Sequence, residues 1–221
     1  GLSRAAVEGA GVGFDFSGIV VRAPAASALR EGDAVFGTAP PMTGSFAEEI
    51  VVPLDQVAPK PRSLSFAEAA ALPLVGLTAL QSLVHDNGLC QGQHLLVIGA
   101  SGGVGHVACQ VAKAVGAAVT AVCSTRNLDR VRAFGADHVV DYSQGDAAAL
   151  QGLRAAAAAH GEFDLCLDTV SSLESKDANN YKALVGAHAP PGSDERLLRG
   201  RWLNIGGAPS AWLCAGFPSP L

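Results

Sequence analysis

Residues 95–113 read LLVIGASGGVGHVACQVAK, and the fold class turns on them. Leu95–Ile98 is a short apolar run of the kind that forms a buried strand. From Gly103 the period changes: Val104, Val107, Ala108, Val111, Ala112 and Val115 fall on one helical face, and Gly116 stops it. Strand and helix are joined by Gly99-Ala-Ser-Gly102-Gly103-Val-Gly105. Glycines at such a junction permit a tight turn, let backbone approach a pyrophosphate and let the helix pack close to the strand. Phosphates would meet the free N–H groups and the positive dipole end of the helix.

Outward from this stretch, strands and helices alternate. Ala118–Cys123 reads as the next strand, Leu128–Phe134 as a helix ended by Gly135, and His138–Val140 as a third strand. Ala155–Ala159 reads as helix, and Phe163–Leu167 and Trp202–Ile205 as two further strands. That alternation predicts an α/β fold with a doubly wound parallel sheet. Upstream the pattern differs. Ile19–Val21, Ala34–Phe36 and Glu49–Val52 are short apolar pieces separated by Gly and Pro turn signals, which predicts a small antiparallel β domain. Between the two parts, Ser65-Phe-Ala-Glu68 has the spacing of a capping box, and a second helical piece runs through Leu77–Val84 after Leu-Pro-Leu at 72–74.

The composition excludes several classes. With 49% hydrophobic and 16% charged residues, the 221-residue chain can build a real core and is not a disordered polymer. A formal net charge of −5 and the lack of any basic run argue against a nucleic-acid surface. The longest apolar stretch, Phe66–Val84, is interrupted by Glu68, Pro73, Gly76 and Gln81 and does not read as a membrane span. The cysteines, Cys90, Cys109, Cys123, Cys166 and Cys214, are scattered and odd in number, which predicts small buried apolar residues in a reducing compartment, cytoplasmic or organellar lumen. No targeting segment is visible at the start, where the chain runs at once from Gly1 into folded-looking sequence, as a trimmed or partial protein would. The six histidines show no H-x-x-x-H spacing and read as surface or capping residues.

The second strand carries information about the ligand. A site for NAD usually offers an Asp or Glu near that strand's end to bind the ribose hydroxyls. Here Val119–Cys123 runs into Ser124-Thr125-Arg126 with no acid. A carboxylate would repel a 2′-phosphate, whereas hydroxyls and a guanidinium would bind one. The pattern favours NADP(H), with a solvated surface arginine as the competing reading of Arg126.

Taken together, GFDFSGIVV at 13–21, GDAVFG at 32–37, GSFAEEIVVP at 44–53, ALPLVGLTALQSL at 71–83, the glycine loop, FGADHVVDY at 134–142, FDLCLDTV at 163–170 and NIGG at 204–207 carry a resemblance. The chain resembles the zinc-free branch of the medium-chain dehydrogenase/reductase superfamily, which includes quinone oxidoreductases (zeta-crystallin-like proteins), alkenal reductases and enoyl reductase domains. The resemblance implies a partial GroES-like β domain over residues 1–62, N-terminally incomplete. A Rossmann NADP-binding domain over 63–221, C-terminally incomplete, would follow, with the nicotinamide in the cleft between them. Carried over residue by residue, Gly99, Ser101, Gly102, Gly103 and Val104 match the pyrophosphate loop. Ser124 and Arg126 match the surroundings of the 2′-phosphate, and Tyr142 a tyrosine at the adenosine end. Thr78 matches a threonine near the nicotinamide ribose, and Asn204, Ile205 and Gly206 the strand end beside the ring. For Tyr142 and Thr78, packed polar residues are the competing reading.

Zinc-dependent relatives carry Gly-His-Glu-x-x-Gly in the first domain, and this chain places Phe14 and Asp15 at the His-Glu positions. Phenylalanine cannot ligate zinc, and no cysteine precedes Cys90, so no metal is expected. The resemblance then implies hydride transfer from NADPH to a quinone or to the C=C bond of an α,β-unsaturated carbonyl. Weak catalytic candidates are Asp15, either an active-site carboxylate or a turn-capping acid, and Thr78. Expected partners are the small-molecule substrate and a second copy, or a protein covering the incomplete β domain. The alternative function is a truncated, inactive reductase-like fold serving as a structural or interaction subunit. Ser171–Arg199 departs from the family pattern.

Overall fold

The computed structural model describes residues 11–40, 43–170, 181, 185–186, 193 and 196–205. The described chain divides into two compact units, one running through Leu77 and the other beginning at Thr78.

In the first unit, β1 (Asp15–Ile19), β2 (Ala34–Thr38) and β3 (Val57–Pro59) form a three-stranded antiparallel sheet in that order. Gly37 lies where β2 passes the chain entering β3, and a Cβ there would collide with the Gln56 carbonyl oxygen. The Ser65–Glu68 capping box forms in full: Ser65 Oγ accepts from the Glu68 amide at 3.2 Å, and Glu68 Oε2 accepts from the Ser65 amide at 2.8 Å. It starts the short helix α1 (Phe66–Ala70). Helix α2 (Pro73–Leu80) follows with proline at its first position, where the missing N–H costs nothing.

Two strand expectations change: the piece expected at Ile19–Val21 is displaced toward the N-terminus, with β1 ending at Ile19 and Val21 61% exposed, and one expected strand does not form. Glu49–Val52 is irregular, Val51 is 91% exposed, and the chain passes through a 3-10 turn at Leu54–Gln56 before β3 begins. Pro53 has no amide hydrogen to offer a ladder, and β2 takes Val57–Pro59 as its neighbour instead.

The strands of the second unit are β4 (His94–Ile98), β5 (Ala118–Cys123), β6 (His138–Asp141), β7 (Phe163–Asp168) and β8 (Leu198–Asn204). They form a five-stranded parallel sheet in the order β6-β5-β4-β7-β8. Among the described residues, the crossover helices are α3 (Gly103–Ala114), α4 (Leu128–Ala133) and α5 (Asp146–His160). Every residue of β4 is buried. Because side chains alternate along a strand, Leu96 and Ile98 join one cluster with Val122, Val140, Leu153 and Phe163. Leu95 and Val97, also buried, point to the opposite face. Each such side chain contributes about 1.5–3 kcal/mol of transfer free energy. Strand β8 begins four residues before the expected Trp202. Gly200 makes that possible, because a Cβ would overlap the Asp164 carbonyl where the β7–β8 register is irregular.

Two sequence readings of single residues are corrected here. His94 is neither surface nor cap: it is 1% exposed at the base of the central strand, its ring 2.8 Å from both the Gly161 carbonyl and Thr120 Oγ1. Both ring nitrogens are therefore satisfied in the interior, which removes the usual cost of burying an imidazole. Cys90 is exposed in the turn before β4, whereas Cys109, Cys123 and Cys166 are buried free thiols. Cys214 lies outside the described residues.

Candidate nucleotide-binding site

Strand β4 ends at Ile98, and the chain turns at Gly99 with φ +78, a left-handed conformation that side chains rarely adopt. A Cβ at Gly99 would also run into the Thr169 hydroxyl and Val170. Thr169 in turn donates its hydroxyl to the Ile98 carbonyl at 2.8 Å, pinning the end of β4. The turn closes with the Gly102 amide donating to the Gly99 carbonyl at 2.9 Å, and α3 begins at Gly103. A Cβ on Gly105 would meet the Gly99 carbonyl and the Ala100 Cα, so the first turn of α3 lies directly against the loop. Gly102 occupies the N-cap and supplies no side-chain cap, which leaves the first-turn amides of α3 open to an anion. Val104 is half-buried in that turn.

Parallel pairing brings further candidates to the same edge of the sheet. Val122 is opposite Ile98, so the segment after β5 lies beside the glycine loop. Ser124 caps a 3-10 turn at Thr125–Asn127 without using its side chain as the cap. The Asn127 amide nitrogen donates to Ser124 Oγ at 3.1 Å and to Ser101 Oγ at 3.2 Å. Arg126 is exposed beside them. Beyond β6, Tyr142 is 41% exposed in the turn Tyr142–Gln144. Asn204 and Ile205 stand at the same edge at the end of β8, where the Ile205 amide donates to the Asp168 carbonyl at 3.0 Å. Gly206 lies outside the described residues.

The nearest carboxylate to the Ser124 segment is Asp141. It accepts from Thr125 Oγ1 at 2.5 Å, from the Ser143 amide at 2.9 Å and from Gln144 Nε2 at 3.2 Å. The Thr125 hydroxyl, first among these, holds its pKa below the ordinary aspartate range. Its charge is thus occupied by three protein donors. Glycines that admit a close backbone, uncapped amides and paired hydroxyls suit a dinucleotide's phosphates.

The remaining candidates sit elsewhere. Thr78 is on α2, where its carbonyl accepts from Ser82 Oγ at 2.6 Å. Asp15, in the first unit, accepts the Leu74 amide in the first turn of α2 at 3.0 Å, so its carboxylate caps that helix from a distant strand. Burial raises the Asp15 pKa, and the Leu74 amide opposes the shift. Tyr181 is 4% exposed, and burial pushes its phenol pKa up. Among the described residues no three His, Cys, Asp or Glu side chains converge as a metal site, and no helix is long and apolar enough to cross a membrane. Sequence reading missed Asn127 and Thr169. Asn127 could have been noticed as the next polar residue of the Ser-Thr-Arg-Asn run; nothing local marks Thr169.

Comparison with known proteins bears on the fold and the family. A family model described as a zinc-binding dehydrogenase matches residues 103–184. The mitochondrial NAD(P)H oxidoreductase RTN4IP1 of Mus musculus is 40% identical over 184 residues, 80% of this chain and 45% of that protein. The 2-methylene-furan-3-one reductase of Solanum lycopersicum is 37% identical over 195 residues, 81% of this chain and 48% of its own. A solved quinone oxidoreductase from Pseudomonas syringae pv. Tomato superposes with a TM-score of 0.64 at 31% identity, covering 73% of this chain and 49% of that one. The chain thus spans about half the length of the curated relatives it matches. Identity over four-fifths of the chain and a superposing fold place it in one lineage: the chain belongs to the medium-chain dehydrogenase/reductase superfamily.

Proposed function

We propose that this chain binds NADPH and serves a zinc-independent reduction of a quinone or of the C=C bond of an α,β-unsaturated carbonyl. The observation that carries the reading is the edge formed by the glycine loop, Ser101, Ser124 and Arg126, with no free acid after β5. Residues 63–221 would form the nucleotide-binding domain and residues 1–62 part of the substrate domain. The first-turn amides of α3 would hold the pyrophosphate, and Arg126 with Ser124 a 2′-phosphate. Asp141 accepts from Thr125, Ser143 and Gln144. Tyr142 would lie toward the adenosine, and Thr78, Asn204, Ile205 and Gly206 toward the nicotinamide. When bound, the nicotinamide supplies the hydride.

The zinc-independent reading rests on side chains rather than on an empty site. By the resemblance, Phe14 takes the place of a zinc ligand that it cannot supply, and Asp15 Oδ1 accepts the Leu74 amide. Relatives named as an NAD(P)H oxidoreductase, a 2-methylene-furan-3-one reductase and a quinone oxidoreductase support the substrate class. The free buried thiols Cys109, Cys123 and Cys166 accord with a reducing compartment.

The test is a titration of NADPH with the chain, read by quenching and blue shift of its fluorescence, followed by turnover on a panel of quinones and alkenals. Arg126→Ala should weaken NADPH about tenfold more than NADH, the worth of one charge-assisted phosphate contact. Equal effects on the two would refute the 2′-phosphate assignment. Binding without turnover would leave a nucleotide-binding subunit that is not an enzyme by itself.

A further inference from the structure

We propose that Asn127 is a positioning residue that aims the Ser101 and Ser124 hydroxyl protons outward, at the phosphates of the bound nucleotide. The proposal rests on the reading of this edge as an NADPH site and adds a residue to it.

A hydroxyl has one proton to donate and two lone pairs to accept with, whereas an amide NH2 carries two protons and accepts nothing. Asn127 Nδ2 reaches Ser101 Oγ at 3.2 Å and Ser124 Oγ at 3.1 Å, so each of its protons fills a lone pair on one serine. Among the described residues neither serine hydroxyl donates to a protein acceptor. Each therefore keeps its single proton for something else. With the amide fixed on one side of both oxygens, the two O–H vectors cannot point back at it.

Three features make this more than a chance contact. Ser101 and Ser124 belong to different loops, 23 positions apart (124 − 101), which β4–β5 pairing sets side by side. A serine at an N-cap ordinarily accepts from a backbone amide of its own turn. Ser124 does not; it accepts from Asn127 instead. Asn127 itself makes no side-chain cap to α4, although it stands at that helix's N-cap. Its carboxamide nitrogen is thus directed to the two serines rather than to local helix structure. Hydroxyl donors pre-aimed in this way suit an acceptor-only ligand such as a phosphate, and they need no reorientation when it arrives.

The experiment measures NADPH and NADH dissociation constants by fluorescence titration for the unmodified chain, Asn127→Leu, Ser124→Ala and the double variant, with thermal unfolding in parallel. Asn127→Leu should weaken NADPH on the order of tenfold and NADH by about threefold, since NADH loses only the Ser101 contribution. The unfolding temperature should hold, because no cap is lost. In the Ser124→Ala background, Asn127→Leu should cost NADPH no more than it costs NADH, a coupling that a merely structural asparagine would not produce. Asn127→Asp, which accepts from both hydroxyls and turns their protons inward, should weaken NADPH further. If Asn127→Leu lowers the unfolding temperature, Asn127→Ser supplies the same comparison with a side chain too short to reach both oxygens.

The proposal is overturned if Asn127→Leu and Asn127→Ser bind NADPH within twofold of the unmodified chain while Ser124→Ala and Arg126→Ala bind it weakly. That result would leave the NADPH reading intact. If the unmodified chain binds neither nucleotide, both readings fall together.

Discussion

Strands β1 and β4 are each five residues long, yet they end in opposite circumstances. All five residues of β4 are buried, whereas no residue of β1 is, and Ile19 is 53% exposed. Composition accounts for part of the contrast, since HLLVI holds four large apolar residues and DFSGI two. Sheet position accounts for the rest. β4 is the middle of five parallel strands with helices packed against its sheet, and β1 is the edge of three. A parallel sheet buries both faces beneath its crossovers. A three-stranded antiparallel sheet has too little surface to do so, and Phe46 and Val51 in the same unit are exposed as well.

The contrast can be broken by substitution. Leu96→Ala, at the fully buried middle of β4, should cost about 3–4 kcal/mol in denaturant unfolding. A cost below 1 kcal/mol would mean that the parallel sheet is not the stable element. Gly105→Ala should cost about 2–3 kcal/mol, because backbone rather than a movable side chain fills the space its Cβ needs. The same variant should lose nucleotide binding before it loses secondary structure, a divergence that fluorescence titration and circular dichroism together would reveal.

His94 sharpens the comparison through pH. Burial first, then the neighbouring His160 and His138, hold its pKa below the ordinary 6.5, against the opposing pull of the Gly161 carbonyl and Asp164. The unfolded chain therefore takes up a proton near that pH which folded His94 refuses. Stability should fall as pH drops below about 6.5, and level off only below the folded value. His94→Leu should cost about 2 kcal/mol at neutral pH by leaving the Gly161 carbonyl and Thr120 without their partner. It should also flatten the acid slope of the unfolding temperature; an unchanged slope would assign that slope to other groups.

In the first unit the expected effects are smaller. Ser65→Ala removes the capping box and should cost about 1 kcal/mol. Ile19→Ser, on the exposed edge, should change stability by no more than about 0.5 kcal/mol. A larger loss there would show that β1 is covered by something in solution.

How legible these features were depended on how local their causes are. The glycine loop and its flanking strand and helix could be read because turn chemistry and periodicity lie within twenty neighbouring residues. Ser65 was legible as a cap for the same reason. Glu49–Val52 misled because β-propensity describes a residue's fit to a pleated surface, not whether a partner strand is available. His94 misled because a polar residue at the head of an apolar run gives no sign of what will face it. Its two partners come from Gly161 and Thr120, 67 and 26 positions away.

By itself the sequence determined the alternation of strands and helices after Gly92, the nucleotide-type turn after β4, the missing acid after β5 and the phenylalanine at the position that the resemblance gives to a zinc ligand. Tertiary structure alone decided which side chains meet. It turned Asp15 into a distant cap for α2, enclosed Asp141 among three donors and set Asn127 between two serines from different loops. Periodicity and turn chemistry act between near neighbours along the chain. Contacts across strands exist only once the register is set, and the burial of the whole sheet sets it.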